Sequence, residues 1–268
     1  MATTDVERDG RTVADILGAG DPEGDDGAQM TLIEHLTELR SRLFYSILAI
    51  VIGSIIGFIF YEPILHFLLL PLPREANLLT PKNGDTTKLV VTQIGEGFTV
   101  AFKLALAVGI ALSTPVWLYQ IWAFISPALT RKEKKHALPF VLIGVVLFVL
   151  GISVGFLTLR YPISFLVDFG GNSFVHLISA DSYFSFTAFF LLAFGLVFEL
   201  PLVMTFLAVL GIISSEFLAK NRAYILTGLW IASCFITPGA DPYSPVILGI
   251  AFTFLYFVSE GLIRIIKK

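Results

Sequence analysis

The chain has 268 residues, of which 56% are hydrophobic and 15% charged, with a formal net charge of −3 and a mean hydropathy of +0.82. A soluble globule carries about 25% charged residues, so this balance excludes one and indicates an integral membrane protein. The single cysteine, Cys234, excludes an internal disulfide framework, and its place in an apolar run predicts a small buried hydrophobe.

Residues 1–29 hold eight acids and two arginines. With no apolar periodicity long enough to bury anything, they read as a disordered acidic tail. The tail lacks the basic start and apolar middle of a secretory signal, so the N-terminus is expected in the cytoplasm. Beyond Gln29 the chain is basic, 16 cations to 13 acids.

Thr31 to Leu43, TLIEHLTELRSRL, sets Leu32, Leu36, Leu39 and Leu43 on one helical stripe against Glu34, Glu38, Arg40 and Arg42. This predicts an amphipathic helix at the cytoplasmic surface. It leads into Leu43 to Tyr61, 19 uncharged residues and the first span. Glu62 to Gly97 is punctuated by Pro63, Pro71, Pro73 and Pro81 and reads as an external loop. The second span, Phe98 to Ile125, carries Lys103 near its outer end, where a lysine can snorkel to the interface. Pro115 should kink it, and Trp117 to Phe124 brings aromatic residues to the inner interface.

Pro127 to His136, PALTRKEKKH, has four cations in a short connection, which places it on the cytoplasmic side. The third span is Leu138 to Leu159, followed by an external loop from Arg160 to Asp181. The fourth, Ser182 to Gly211, is interrupted by Glu199 just before Pro201. Ser214 to Arg222 reads as a cytoplasmic loop. Two short spans close the chain, Ala223 to Ile236 and Pro245 to Ser259, measuring roughly 21 to 23 Å against a hydrocarbon core of roughly 30 Å.

With both ends inside, thirteen cations fall on the cytoplasmic side and five outside. The expected fold is therefore an all-α integral membrane protein with six transmembrane helices, N-in and C-in. It has a cytoplasmic amphipathic lead-in helix and two short C-terminal spans. Residues 1–29 form the tail, and residues 30–268 the membrane domain.

Chemical motifs are scarce. Gly151 to Gly155, GISVG, spells a serine-nucleophile motif but sits mid-span and has no histidine base within any span, so it reads as a packing surface for a neighbouring helix. IGEGF at Ile94 to Phe98 lacks the third glycine of a dinucleotide fingerprint. Neither a Walker lysine nor metal-ligand spacing occurs. No enzyme, cofactor, metal or nucleic acid partner is expected. What remains is a set of carboxylates, Glu38, Glu133 and Glu199. Glu38 can pair with Arg42 on its own helix for a few tenths of a kcal/mol. Glu199 is either a functional intramembrane acid or a protonated group hydrogen-bonded to another helix.

Five stretches in order, HLTELRSRL at 35–43, SxPVWLYQIWAFISPAL at 113–129, the RKEKK that follows, AFGLVFELP at 193–201 and TPGADP at 237–242, resemble the TatC family of twin-arginine translocase subunits. The likeness runs from about Met30 to the C-terminus. TQIGEGF at Thr92 to Phe98 departs from the family's Ser-Pro-x-Glu-x-Phe, keeping only Glu96 and Phe98. The resemblance implies a six-helix receptor in the cytoplasmic membrane of a prokaryote. Such receptors bind signal peptides with paired arginines and work with the single-span TatA and TatB, as an oligomeric complex, to export folded proteins on the proton-motive force. It also implies that Glu38 and Glu133 receive the arginines, with Arg40, Phe124 and Pro127 beside them. Glu199 and Pro201 become the intramembrane partner contact. A proton-coupled small-solute transporter centred on Glu199 is the alternative from a different class.

Overall fold

The computed structural model describes residues 32–72, 89–125, 137–169, 178–239 and 241–266. All regular structure there is helical: α1 Leu32–Ile59, α2 Tyr61–Leu68, α3 Glu96–Leu112, α4 Thr114–Ile125, α5 Ala137–Thr158, α6 Arg160–Asp168, α7 Ala180–Val197, α8 Leu200–Val209, α9 Ser215–Ile236 and α10 Tyr243–Ile266. By compactness the chain divides into Met1–Glu38 and Leu39–Lys268. Of the first unit only the opening turns of α1 are described; the rest of this section concerns the second.

Among the described residues, four helices or helix pairs are long and apolar enough to cross a membrane, and five if α3 and α4 form one span. That pair bends by 53°. The expected kink at Pro115 is thus present, and its hydrogen bonding shows how the chain tolerates it. Pro115 has no N–H to give the Ala111 carbonyl, and the Thr114 hydroxyl donates to it instead at 2.8 Å. The Trp117 indole covers Ile110 O at 3.2 Å. Backbone carbonyls left bare in hydrocarbon would each cost several kcal/mol, so these side chains are what allows the break.

α7 is the central helix, packed between α3 and α5, while α10 packs against α8 and α9. The close approaches run through small residues. A Cβ at Gly151 would stand 2.5 Å from the Phe194 carbonyl and 3.0 Å from Gly195 Cα. GISVG is therefore the helix-packing surface expected of it. Gly53 meets the Gly109 backbone in the same way, with 2.9 Å from a Cβ to its carbonyl.

At one end of the bundle, Val90 and Ser179 form a parallel β-bridge, with Val90 N donating to Ile178 O and Ala180 N to Val90 O. The Tyr183 hydroxyl donates to Leu68 O at 2.6 Å. The opposite end is held by rings: Trp122, Phe140 and Phe206 lie 4.6 to 5.8 Å apart and join α4, α5 and α8.

Three expectations change. Ser214 to Arg222, read as a loop, is largely helix: the Ser214 hydroxyl caps α9 by accepting from Phe217 N, and buried Leu218 anchors the first turns. The segments after Glu62 and Arg160, read as external loops, contain α2 and α6. Cys234 is exposed, not buried, because α9 packs mainly on α10 and Cys234 follows the buried Ser233 round onto the open face.

Candidate functional site

The residues expected to meet a signal peptide are only partly visible. Glu38 is half-buried and Arg40 exposed on α1, while Phe124 is half-buried in the last turn of α4. Glu133 and Pro127 lie outside the described residues. What is described is how the roots of their loop are set. The Trp122–Phe140–Phe206 cluster fixes the end of α4 against the start of α5, and Arg42 Nη1 donates to Gln120 Oε1 at 3.3 Å, tying α1 to α4.

Glu199 stands immediately before α8, two residues past the end of α7, and Pro201 lies in the first turn of α8, where a missing N–H costs nothing. Both residues are buried. The carboxylate turns toward α5: Gly144 leaves it room, since a Cβ there would lie 3.3 Å from Glu199 Oε2 and closer still to Leu118 and Leu202. Neither carboxylate oxygen has a hydrogen-bond partner among the described residues. An acid so placed is held in the protein interior, away from lipid.

Four polar centres were not anticipated from sequence. Glu96, only 6% exposed, accepts from Thr92 N, Thr92 Oγ1, Gln93 N and, across 85 residues of chain, Asp181 N at 2.8 Å. Lys103 pairs with Asp181 at 2.6 Å and donates to Ser185 at 2.9 Å, binding α3 to α7. Asp241, in TPGADP, is 4% exposed and accepts from Ser244 N and Oγ at 2.6 and 2.7 Å. It caps α10, with Pro242 in the first-turn position that suits proline. Glu260 is held by Arg222 and Arg264. Among the described residues no group of three His, Cys, Asp or Glu is placed to hold a metal.

The family model described as Sec-independent protein translocase protein (TatC) matches residues 34–251. The chain belongs to the TatC family. A TatC protein of Carboxydothermus hydrogenoformans is 40% identical over 89% of this chain and 94% of its own. One from Synechocystis is 34% identical over 91% of each. A solved structure described as the twin-arginine translocase receptor TatC superposes with a TM-score of 0.72 at 33% identity, covering 88% of this chain and 100% of that one. The protein is accordingly a multi-pass TatC-family component of Sec-independent protein export in the bacterial inner membrane, which removes the small-solute transporter.

Proposed function

We propose that this chain is the signal-peptide receptor of its translocase and that Glu38 and Glu133 receive the two arginines. The observation that carries the reading is the family match over 34–251, which includes both acids in their motifs, HLTELRSRL and the RKEKK loop. A guanidinium is a planar fork that a carboxylate meets with two parallel hydrogen bonds, so two acids select two arginines over two lysines. Arg40, Phe124 and Pro127 complete the surface. Each charged contact contributes roughly 1.5 to 3 kcal/mol. Glu38→Gln or Glu133→Gln should therefore weaken binding of an RR signal peptide to the purified protein by roughly ten-fold or more and narrow its preference over a KK peptide. A double variant that binds the RR peptide as tightly as the parent would overturn the assignment.

The same reading makes the membrane domain six spans with both ends cytoplasmic. Its support is the grouping of helix ends: Leu68, Val90, Ser179, Pro238 and Gly239 gather at one end, and Gln120, Trp122, Phe140 and Phe206 at the other. Export of folded cargo draws on the proton-motive force and on TatA and TatB within an oligomeric complex. Glu199 beside Pro201 is the contact for a partner's membrane helix. If Glu199→Gln and Glu199→Ala both export normally and crosslinkers at position 199 reach only lipid, that contact is wrong.

A further inference from the structure

One end of the α9–α10 hairpin, partly beyond the residues that the family model matches, carries a charged centre that the receptor reading does not use. Glu260, whose side chain is 4% exposed, accepts from Arg222 Nη2 through both oxygens, at 2.8 and 3.0 Å. Arg264 Nη2 donates to the same carboxylate. Two guanidiniums against one carboxylate leave a surplus positive charge. These bonds engage only the Nη2 groups, so each arginine keeps further N–H donors. Both arginine side chains remain open, 41% and 57% exposed.

An apolar track runs away from this centre. The Arg222 guanidinium lies 5.3 Å over the Phe257 ring. Phe254, Phe257, Gly261 and Arg264 fall on one stripe of α10, with Phe254 65% and Phe257 47% exposed and open space beside Gly261. The stripe extends about 15 Å from Arg264 to Phe254. A free anion could use the donors but would leave the aromatic stripe idle. A ligand with an anionic head and an apolar tail uses both, and basic pockets between membrane helices at a cytoplasmic face bind such headgroups.

We infer that Arg222 and Arg264 bind the phosphodiester of an anionic phospholipid, with one acyl chain lying along Phe257 and Phe254. The inference rests on the proposed placing of this hairpin end at the cytoplasmic membrane surface.

The test uses the full chain purified in mild detergent, with native mass spectrometry counting the lipid retained from micelles of equal phosphatidylglycerol and phosphatidylcholine. Phosphatidylglycerol should be retained preferentially. Arg264→Gln should lower its retention about five-fold, the effect of one cation at a membrane surface. Gly261→Leu, which fills the open space without touching a charge, should lower it too. Arg222→Met alone risks unfolding by stranding Glu260, so Arg222→Met with Glu260→Met, a swap that buried ion pairs often tolerate, supplies the remaining arm. It should lower retention as well, because the Arg222 donors are gone although Arg264 remains and the net charge is unchanged. Equal retention of the two lipids by the parent, unchanged retention by all three variants, or displacement of the lipid by millimolar inorganic phosphate would overturn the proposal, the last marking a free-anion site. RR-peptide binding measured on the same samples keeps the two readings apart, since either can be lost while the other stands.

Discussion

Gly151 and Gly261 are both glycines inside helices, and their surroundings make opposite demands. At Gly151 a methyl group would strike the Phe194 backbone carbonyl, which cannot swing aside as a side-chain tip can; at Gly261 it meets nothing. Gly151→Ala should therefore destabilise the protein by about 1–3 kcal/mol. Gly261→Ala should be neutral or stabilising by up to about 1 kcal/mol through helix propensity. Thermal unfolding of the two variants in one detergent checks both, and equal melting temperatures would refute the contrast. Asp241 gives a second residue-level expectation. Its carboxylate caps α10 through Ser244, so Asp241→Ala should cost about 1–2 kcal/mol, while Asp241→Asn, which keeps an acceptor oxygen, should recover most of that. If the asparagine variant melts as low as the alanine one, charge and not capping is what the site requires.

Among the elements, those announced by proline were legible. Pro115 and Pro201 mark the breaks between α3 and α4 and between α7 and α8, because the missing N–H acts locally and needs no knowledge of the fold. The apolar α5 was equally plain. What escaped were helices whose signal is mixed. α2 and α6 carry proline and charge, and the first turns of α9 carry Glu216, Lys220 and Arg222, so each looked like connecting chain until buried Leu68, Ile163 or Leu218 supplied the reason to coil. The polar contacts Glu96–Asp181 and Arg222–Glu260 span 85 and 38 residues. No local pattern encodes such pairs; only the i,i+4 spacing of Glu260 and Arg264 was on view. Of the receptor site, the family motifs were readable, while the Arg42–Gln120 link and the aromatic cluster at the loop root were not. The α9–α10 hairpin also carries a prediction about the bilayer. Although α9 has 22 residues and α10 has 24, the charged centre at Arg222 and Glu260 limits their apolar length, leaving roughly 21 to 23 Å of it against a core of roughly 30 Å. The lipid must thin locally or the flanking charged side chains snorkel. One added turn of leucines within Ala223 to Ile236 should impair export while leaving membrane insertion intact; unchanged export would count against a role for thinning.

At the scale of the whole molecule, thirteen cations against five fix the expected orientation. Accessibility tags after Lys268 or within Arg131 to His136 should report from the cytoplasm, and tags at Gly84 or Gly171 from outside. An external C-terminus would remove the six-span reading, whatever the behaviour of the signal-peptide site. The receptor surface and the lipid-binding hairpin end would then lie on opposite sides of the membrane, so this one measurement constrains both proposals.

The unequal burial of the spans also bears on the order in which the chain can be made. Only 11% of the apolar window of α1 is buried, against 67% for the α7–α8 segment, which holds Glu199. A ribosome delivers α1 first, and its mostly exposed apolar surface can wait in lipid with no partner at all. α7 comes after both α3 and α5 and finds the glycine notches of α5 already in place, Gly151 for its backbone and Gly144 for the carboxylate. α9 leaves the ribosome before the helix that covers Leu218 and engages Arg222, and completes its contacts only when Tyr256 and Glu260 arrive. A nascent chain stalled before Leu255 should therefore hold its first spans in a protease-resistant form while α9 stays open to attack.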